Sequence, residues 1–257
     1  MTDLQVKAFW DDRARERAND DSEVTHRDIW QRWLEIETIK RFLRPADRLL
    51  DVGCGAGYTT RLVAEHVREA VGVDYSEGMI ERARAAAAGS PALRFETGNV
   101  LSLDRAQLGQ FDVVLSARCL INLASWDDQL QAIRNIAGLL PPGGRFLFLE
   151  GLDDGRTRLN AMRQASGLTE MPKVWHNIDF VEAQLLEAVQ PLFRVAARRH
   201  FGVYDFIARV VHPLLAAPES PQYDARINQV GAQLALDRQE FPEISRVIFL
   251  ELERLDH

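Results

Sequence analysis

An open α/β sheet, mostly parallel and covered by helices on both faces, is the fold class this chain predicts. Three observations carry it. From residue 48 onward, short apolar runs rich in β-branched residues alternate with helical patterns. A glycine-rich turn, Asp51-Val52-Gly53-Cys54-Gly55-Ala56-Gly57, joins the first run to the first of those helices. A single acid, Asp74, ends the second run about 20 residues after Gly53.

Each element has its own signal. Leu49-Leu50-Asp51-Val52 reads as a short buried strand. Residues 60–70 read as a helix with Leu62, Val63 and Val67 on one face. Residues 70–74 form the next apolar run. Ser76 then opens a helix through Met79, Ile80 and Ala83, stopped by Gly89-Ser90-Pro91. Residues 92–97 alternate like a strand, and 111–116 are apolar and β-branched. Ser125-Trp126-Asp127-Asp128 caps a helix whose stripe is Leu130, Ile133, Ile136 and Leu140. Pro141-Pro142-Gly143-Gly144 breaks it, and 145–149 is the following strand. Asp179-Phe180-Val181-Glu182 reads as a capping box before Leu185, Leu186 and Val189. Residues 193–201 and 246–255 read as strands. The stretch between them is too long for a turn, so about 203–243 is a partly helical insertion, placed to act as a lid. Residues 1–45 read as an amphipathic helical cap anchored by Trp10, Trp30, Trp33, Ile36 and Ile39, with the main domain at 46–257.

Composition excludes several classes. With 257 residues, 46% of them hydrophobic and 27% charged, the chain can bury a core and is not disordered in bulk. No apolar run reaches the roughly 20 residues a membrane helix needs, and residues 1–12 carry no apolar signal segment. Two cysteines, Cys54 and Cys119, exclude a disulfide scaffold and set a cytoplasmic location as the expectation. A net charge of −7 argues against nucleic acid as a partner. The sequence admits a homodimer and does not fix the oligomeric state. The lysine-poor basic set reflects base composition rather than function.

The glycine turn lets a ligand approach the backbone closely, and an acid at the Asp74 spacing accepts hydrogen bonds from ribose hydroxyls in nucleotide-binding sheets. Two details select among nucleotides. Tyr58 stands where a dinucleotide fingerprint has its last glycine. Asp51, just before the turn, repels a phosphate and favours an ammonium.

In these residues the sequence resembles the class I S-adenosylmethionine-dependent methyltransferases. The resemblance rests on Leu50 through Gly57, Val73-Asp74-Tyr75-Ser76, Gly98-Asn99-Val100, Phe111-Asp112-Val113-Val114 and Leu140-Pro141-Pro142-Gly143-Gly144. It implies a Rossmann-like, seven-stranded sheet whose last strand is antiparallel. It also implies S-adenosylmethionine as cofactor, and site roles. Gly53, Gly55 and Gly57 would pass under the methionine moiety, and Asp51 would face its ammonium. Asp74 would hold the ribose, Tyr75 and Met79 would pack on the adenine, and Asn99 with Val100 would meet its edge. Many relatives carry Asp where Asn99 stands. Ser116 to Arg118 would lie along the methionine. Arg32 or Arg27 would take the cofactor carboxylate, or would lie on a solvated helix face.

Methyl transfer is an in-line displacement that needs positioning, and an alcohol acceptor gains from a general base. No His/Cys/Asp cluster has metal-ligand spacing, so no metal is expected. His176, in Trp175-His176-Asn177, lies after the fifth strand at the ligand-binding edge and is the first choice as base; a loop or capping residue is the equal alternative. His200 reads as structural, His212 as a weaker candidate, and His26 and His257 as peripheral. Arg118, with Asn122, could clamp an acceptor carboxylate or phosphate. Arg158, Asn160 and Arg163 would add polarity or form surface ion pairs. Tyr204, Asp205 and Tyr223 are lid or packing residues. Arg118 through Leu123, the Gly151/Gly155/Leu159-Asn160 spacing and Trp175-His176-Asn177 resemble a subgroup found among bacterial polysaccharide and secondary-metabolite genes, which implies a polar, sugar-like or anionic acceptor. The expected activity is methylation of a hydroxyl, or secondarily an amine, of a small molecule. An RNA- or protein-modifying enzyme and a non-catalytic cofactor-binding partner are the alternatives.

Overall fold

A computed structural model describes residues 2–16, 28–103 and 105–256. Among the described residues two helices come first, α1 (Asp3–Glu16) and α2 (Ile29–Lys40). The alternating region then unfolds in order as β1 (Arg48–Val52), α3 (Tyr58–Ala64), β2 (Glu69–Asp74), α4 (Glu77–Ala86), β3 (Leu93–Thr97), β4 (Val113–Ala117), α5 (Trp126–Leu139) and β5 (Arg145–Gly151). After it come α6 (Asp153–Ala165), α7 (Glu182–Val189) and β6 (Phe193–His200). The insertion holds α8 (Gly202–Phe206), a π-helical turn (Ile207–Val211), α9 (His212–Ala216) and α10 (Arg226–Ala235), and β7 (Val247–Arg254) closes the chain.

The seven strands form one sheet in the order β3-β2-β1-β4-β5-β7-β6. All neighbours among β1 to β5 are parallel, and β7 runs antiparallel between β5 and β6. The fold class and the antiparallel last strand are as expected. Every residue of β5 is buried, because helices cover both of its faces. Alternation splits the core accordingly. Phe146, Phe148, Ile248 and Leu250 pack with Ile133 and Ile136 of α5 and Leu185 of α7. Leu147, Leu149 and Phe249 face the other way, toward Leu34 and Ile39 of α2, Val63 of α3 and Ile80 of α4.

Local chemistry sets several boundaries. Ser76 and Ser125 cap α4 and α5, accepting hydrogen bonds from the backbone N–H groups of Met79 and Asp128. Three expectations need correction. The helix expected over 60–70 is α3, which ends at Ala64, and Leu62 points outward because the turn before β2 removes its partner face. The Asp179 capping box does not form. Val181 precedes α7 without a side-chain cap, and Asp179 instead pairs with Arg156 at 3.5 Å. Helix α6 was not foreseen; its buried contacts fall on only Gly155, Leu159, Asn160 and Arg163, too sparse a stripe to read.

At the end of the sheet away from the carboxyl edge, buried Arg145 ties several segments together. Its guanidinium donates to the Phe42 carbonyl just beyond α2, pairs with Asp47 at 2.6 Å and reaches Glu251 at 3.4 Å. Among the described residues no helix is long and apolar enough to cross a membrane.

Candidate active site

The strand order reverses between β1 and β4, and the crevice outside the carboxyl ends of such strands is where open α/β sheets bind ligands. A cavity of about 450 Å³ lies there. Its wall follows the sheet edge: Asn99 and Val100 after β3, Tyr75 and Met79 after β2, Asp51 and Gly53 to Gly55 at β1, Arg118 and Cys119 after β4, and Arg246 just before β7.

The turn after β1 is held against β2. The N–H groups of Gly53 and Cys54 both donate to the Val73 carbonyl, at 2.8 and 3.0 Å. Gly53 has φ +70°, and a Cβ there would meet Cys119 Sγ at 2.3 Å, so only glycine fits. Gly57 also has a positive φ, +73°, but serves the fold. It precedes α3, does not line the cavity, and a Cβ would strike Phe95 at 2.6 Å. The expected cofactor role of Gly57 is therefore corrected.

Asp74 accepts from the Gly55 N–H and the Ser76 N–H, both at 2.9 Å, which ties the loop to the end of β2 and leaves lone pairs for hydroxyl donors. Burial pushes its pKa up to about 6. Asp51, 2% exposed, accepts one bond from the Thr60 hydroxyl at 2.6 Å. Burial, and then the charge of Asp74, raise its pKa to about 7 despite that bond. A buried carboxylate whose only hydrogen bond among the described residues is a hydroxyl's is suited to a ligand ammonium, so the donor set fits the aminoacyl end of S-adenosylmethionine.

Tyr75, Met79, Asn99 and Val100 line the β2–β3 end as the resemblance implies. The Asn99 side-chain oxygen is engaged locally, accepting from the Leu101 N–H at 2.9 Å. Ser116 requires correction. It is fully buried beneath the wall and donates to Glu150 at 2.5 Å, so Ala117 and Arg118 face the cavity in its place. Glu150 is a residue that sequence reasoning missed. It is fully buried, and it gathers the N–H groups of Cys119, Leu120 and Ile121 at 3.1, 2.9 and 3.4 Å. Burial lifts its pKa to about 7. This bracket holds the turn on which Arg118 adopts φ +61°, a conformation few non-glycine residues take and one found at functional sites.

Helix α2 forms the opposite wall. Asp28, Gln31, Arg32 and Glu35 recur at helical spacing on the face turned to the cavity. Arg32 stacks over the Tyr58 ring at 4.9 Å, and Arg118 pairs with Glu35 at 2.7 Å. The insertion contributes Arg209, paired with Asp28, and Tyr223. Helix α1 closes the site with Phe9, Trp10 and Arg13, and Asp11 accepts from the Ser76 hydroxyl at 2.5 Å.

His176 lies on the same cavity, packed against Phe9, Trp10 and Trp175 with ring centroids 4.6, 5.4 and 5.1 Å away. Its buried Nδ1 has no hydrogen-bond partner among the described residues. Burial and the charge of Arg13 hold its pKa below the usual histidine value. The remaining candidates fall elsewhere. His200 bonds Glu182 at 2.9 Å and His212 bonds Asn228 at 3.0 Å, both outside the cavity. Asn160 latches Met171 through its N–H and carbonyl, Arg163 bonds the carbonyls of Thr169 and Arg209, and Arg158 is exposed near Asp154. Tyr204 is buried and its hydroxyl donates to Asp28 at 2.6 Å, Asp205 is buried and pairs with Arg246, and Asn122 lines the cavity. His26, Arg27 and His257 lie outside the described residues.

Comparison with known proteins agrees with this geometry. The family model described as a methyltransferase domain matches residues 49–144. Demethylmenaquinone methyltransferase of Symbiobacterium thermophilum is 36% identical over 127 residues, covering 47% of this chain and 49% of that protein. The chain thus spans about half the length of the curated relatives it matches. Two solved structures are similar over nearly the whole chain. N-methyltransferase NodS from Bradyrhizobium japonicum, in complex with S-adenosylhomocysteine, has TM-score 0.60 at 18% identity, covering 95% of this chain and 97% of that one. Magnesium protoporphyrin IX methyltransferase from Synechocystis, with S-adenosylhomocysteine bound, has TM-score 0.63 at 16% identity, covering 98% and 99%. At those identities the likeness is one of fold; the likeness in sequence lies in residues 49–144, which match the methyltransferase domain and carry the motifs from Leu50 to Gly144 that resemble the class I S-adenosylmethionine-dependent methyltransferases.

Proposed function

We propose that the protein transfers a methyl group from S-adenosylmethionine to a hydroxyl, in preference to an amine, of a polar small molecule. One observation carries the reading. A single cavity joins the Gly53–Gly55 turn, Asp51 and Asp74 to His176, whose buried Nδ1 has no hydrogen-bond partner among the described residues. When bound, S-adenosylmethionine supplies a methyl carbon already activated by its sulfonium. Asp51 holds the ammonium, Asp74 the ribose hydroxyls, and Tyr75 and Met79 flank the base. Its lowered pKa favours the unprotonated form of His176, so the imidazole can take the acceptor's hydroxyl proton as the oxygen forms its bond to the methyl carbon and the carbon–sulfur bond breaks. Phe9 and Trp10 pack against His176 on the cavity wall and narrow the space beside it, which suits a small acceptor.

The test has two parts. Isothermal titration should show binding of S-adenosylhomocysteine and none of NAD, with the former weakened at least tenfold in Asp74→Ala. Release of S-adenosylhomocysteine should then be followed across a panel of hydroxy and amino compounds. Binding of NAD in its place, or methylation of amines alone, would refute the reading.

A further inference from the structure

The half of the cavity beyond the proposed cofactor position is built around arginine. Arg118 arrives from the turn after β4, Arg209 from the π-helical turn and Arg246 from the residue before β7. Each is gripped by a carboxylate. Glu35 takes Nε and Nη2 of Arg118 at 3.2 and 2.7 Å. Asp28 takes Nη2 of Arg209. Asp205, fully buried, takes Nε of Arg246 at 2.7 Å and its backbone N–H at 2.8 Å. Gln31 bridges two of them, its Oε1 accepting from Arg246 at 2.8 Å and Arg209 at 3.3 Å. In all three arginines Nη1 has no hydrogen-bond or ion-pair partner among the described residues.

Such an arrangement holds each guanidinium in one orientation and leaves its Nη1 donors unpaired among the described residues on residues that line the cavity. Charge does not cancel there. Arg163, whose side chain reaches the Arg209 carbonyl, is held below the usual arginine range by burial and by the positive charges of Arg209 and Arg246. Arg209 and Arg246, with Arg163 close behind, face two carboxylates, Asp28 and Asp205, whereas Arg118 has Glu35, Asp179 and Glu150 around it and the proposed cofactor half carries Asp51 and Asp74. The two halves therefore have opposite character. An uncharged sugar hydroxyl would need neither the fixed forks nor the excess charge, and an ammonium acceptor would be repelled.

We infer that the methyl acceptor is an oxyanion, a carboxylate or a phosphate monoester, seated on the Nη1 edges of Arg209 and Arg246 with Arg118 beside it. This rests on the proposed methyl-transfer reading and names the substrate class of that site. The negative end docks on the arginines while the acceptor hydroxyl reaches toward His176, and the fixed charged Nη1 donors select an anion over its neutral ester.

The test uses the full chain loaded with S-adenosylhomocysteine, with succinate and inorganic phosphate as probes in separate titrations at constant ionic strength. Wild-type protein should bind one probe or both, and which one binds tells carboxylate from phosphate. Because Arg246→Gln alone strands a buried carboxylate, it is combined with Asp205→Asn, and Arg209→Gln with Asp28→Asn. Each double variant should lose roughly tenfold or more in probe affinity, the worth of a charge-assisted contact. Protection of the wild-type protein against heat by the probes, relative to chloride, is read alongside and does not depend on any variant folding. Wild-type protein that binds S-adenosylhomocysteine but neither probe, or probe affinity unchanged in folded double variants, overturns the inference. Failure to bind S-adenosylhomocysteine would instead overturn the methyl-transfer reading.

Discussion

Binding of the cofactor's aminoacyl end should expel a proton near neutral pH. Asp51 is buried without a cationic partner among the described residues, and its pKa stands at about 7. An ammonium placed against it favours the ionised form, so the ligand binds the deprotonated protein better. With a pKa of about 7, protonation weakens binding by a factor of about 11 at pH 6 and about 1.1 at pH 8, so affinity rises about tenfold, or ~1.4 kcal/mol, across that window. Asp74, at about 6, adds about a factor of two if ribose hydroxyls require its carboxylate ionised. The sign for the ligand-free protein is the opposite. Both acids have raised folded-state pKa values, so their contribution to stability is full below about pH 4 and is lost as pH rises through about 6 to 7. The assay is isothermal titration of S-adenosylhomocysteine at pH 6, 7 and 8 in two buffers of different ionisation enthalpy. Asp51→Asn keeps an oxygen for the Thr60 hydroxyl and should flatten the pH dependence. Affinity constant within twofold from pH 6 to 8, with no buffer-dependent heat, would refute the assignment of Asp51 to a cation.

Other outcomes are expected. Gly53→Ala must accommodate a Cβ 2.3 Å from Cys119 Sγ at φ +70° and should cost roughly 1–2 kcal/mol from backbone strain alone, with S-adenosylhomocysteine binding lost; calorimetry and titration check both. His176→Gln should lower turnover by about 10²–10⁴-fold with S-adenosylhomocysteine affinity unchanged, and the wild-type rate should fall only on the acid side of the ordinary histidine range, because the His176 pKa is lowered. Glu150→Ala strands three N–H groups and the Ser116 hydroxyl and should destabilise the fold by ~2–3 kcal/mol or more in chemical denaturation, whereas Glu150→Gln should recover part of the loss. Phe148→Ala, in the fully buried central strand, should cost ~3–5 kcal/mol by the same measurement.

What could be read from the chain alone divides along physical lines. The alternation around Leu49–Val52, Glu69–Asp74 and Val113–Ala117 was legible because buried parallel strands leave unbroken apolar runs. The Gly53–Gly55 turn and Asp74 were legible because both lie in one strand-to-helix unit, where spacing in sequence is spacing in space. The bracket formed by Glu150 was not. Its partners come from a different strand and turn, and an acid inside an apolar strand carries no mark of what it bonds. The pairing of Arg118 with Glu35 and of Arg209 with Asp28 was equally hidden, since sequence separations of that kind become contacts only once α2 has docked. Ser116 was misplaced by its position at the end of β4: the carboxyl edge was correctly anticipated, but which side chain turned toward the cavity was not.

Helix α2 has two attachments with different purposes. Near its end, Arg145 fastens the following turn to the bottom of the sheet, while its opening residues form the arginine-facing wall. The element thus connects the foot of the sheet to the cavity wall through one rigid, core-packed helix. Loss of Arg145 or Asp47 would loosen that anchorage without touching anything bound, so a screen for impaired acceptor recognition should return positions at the foot of the molecule as well as at its mouth.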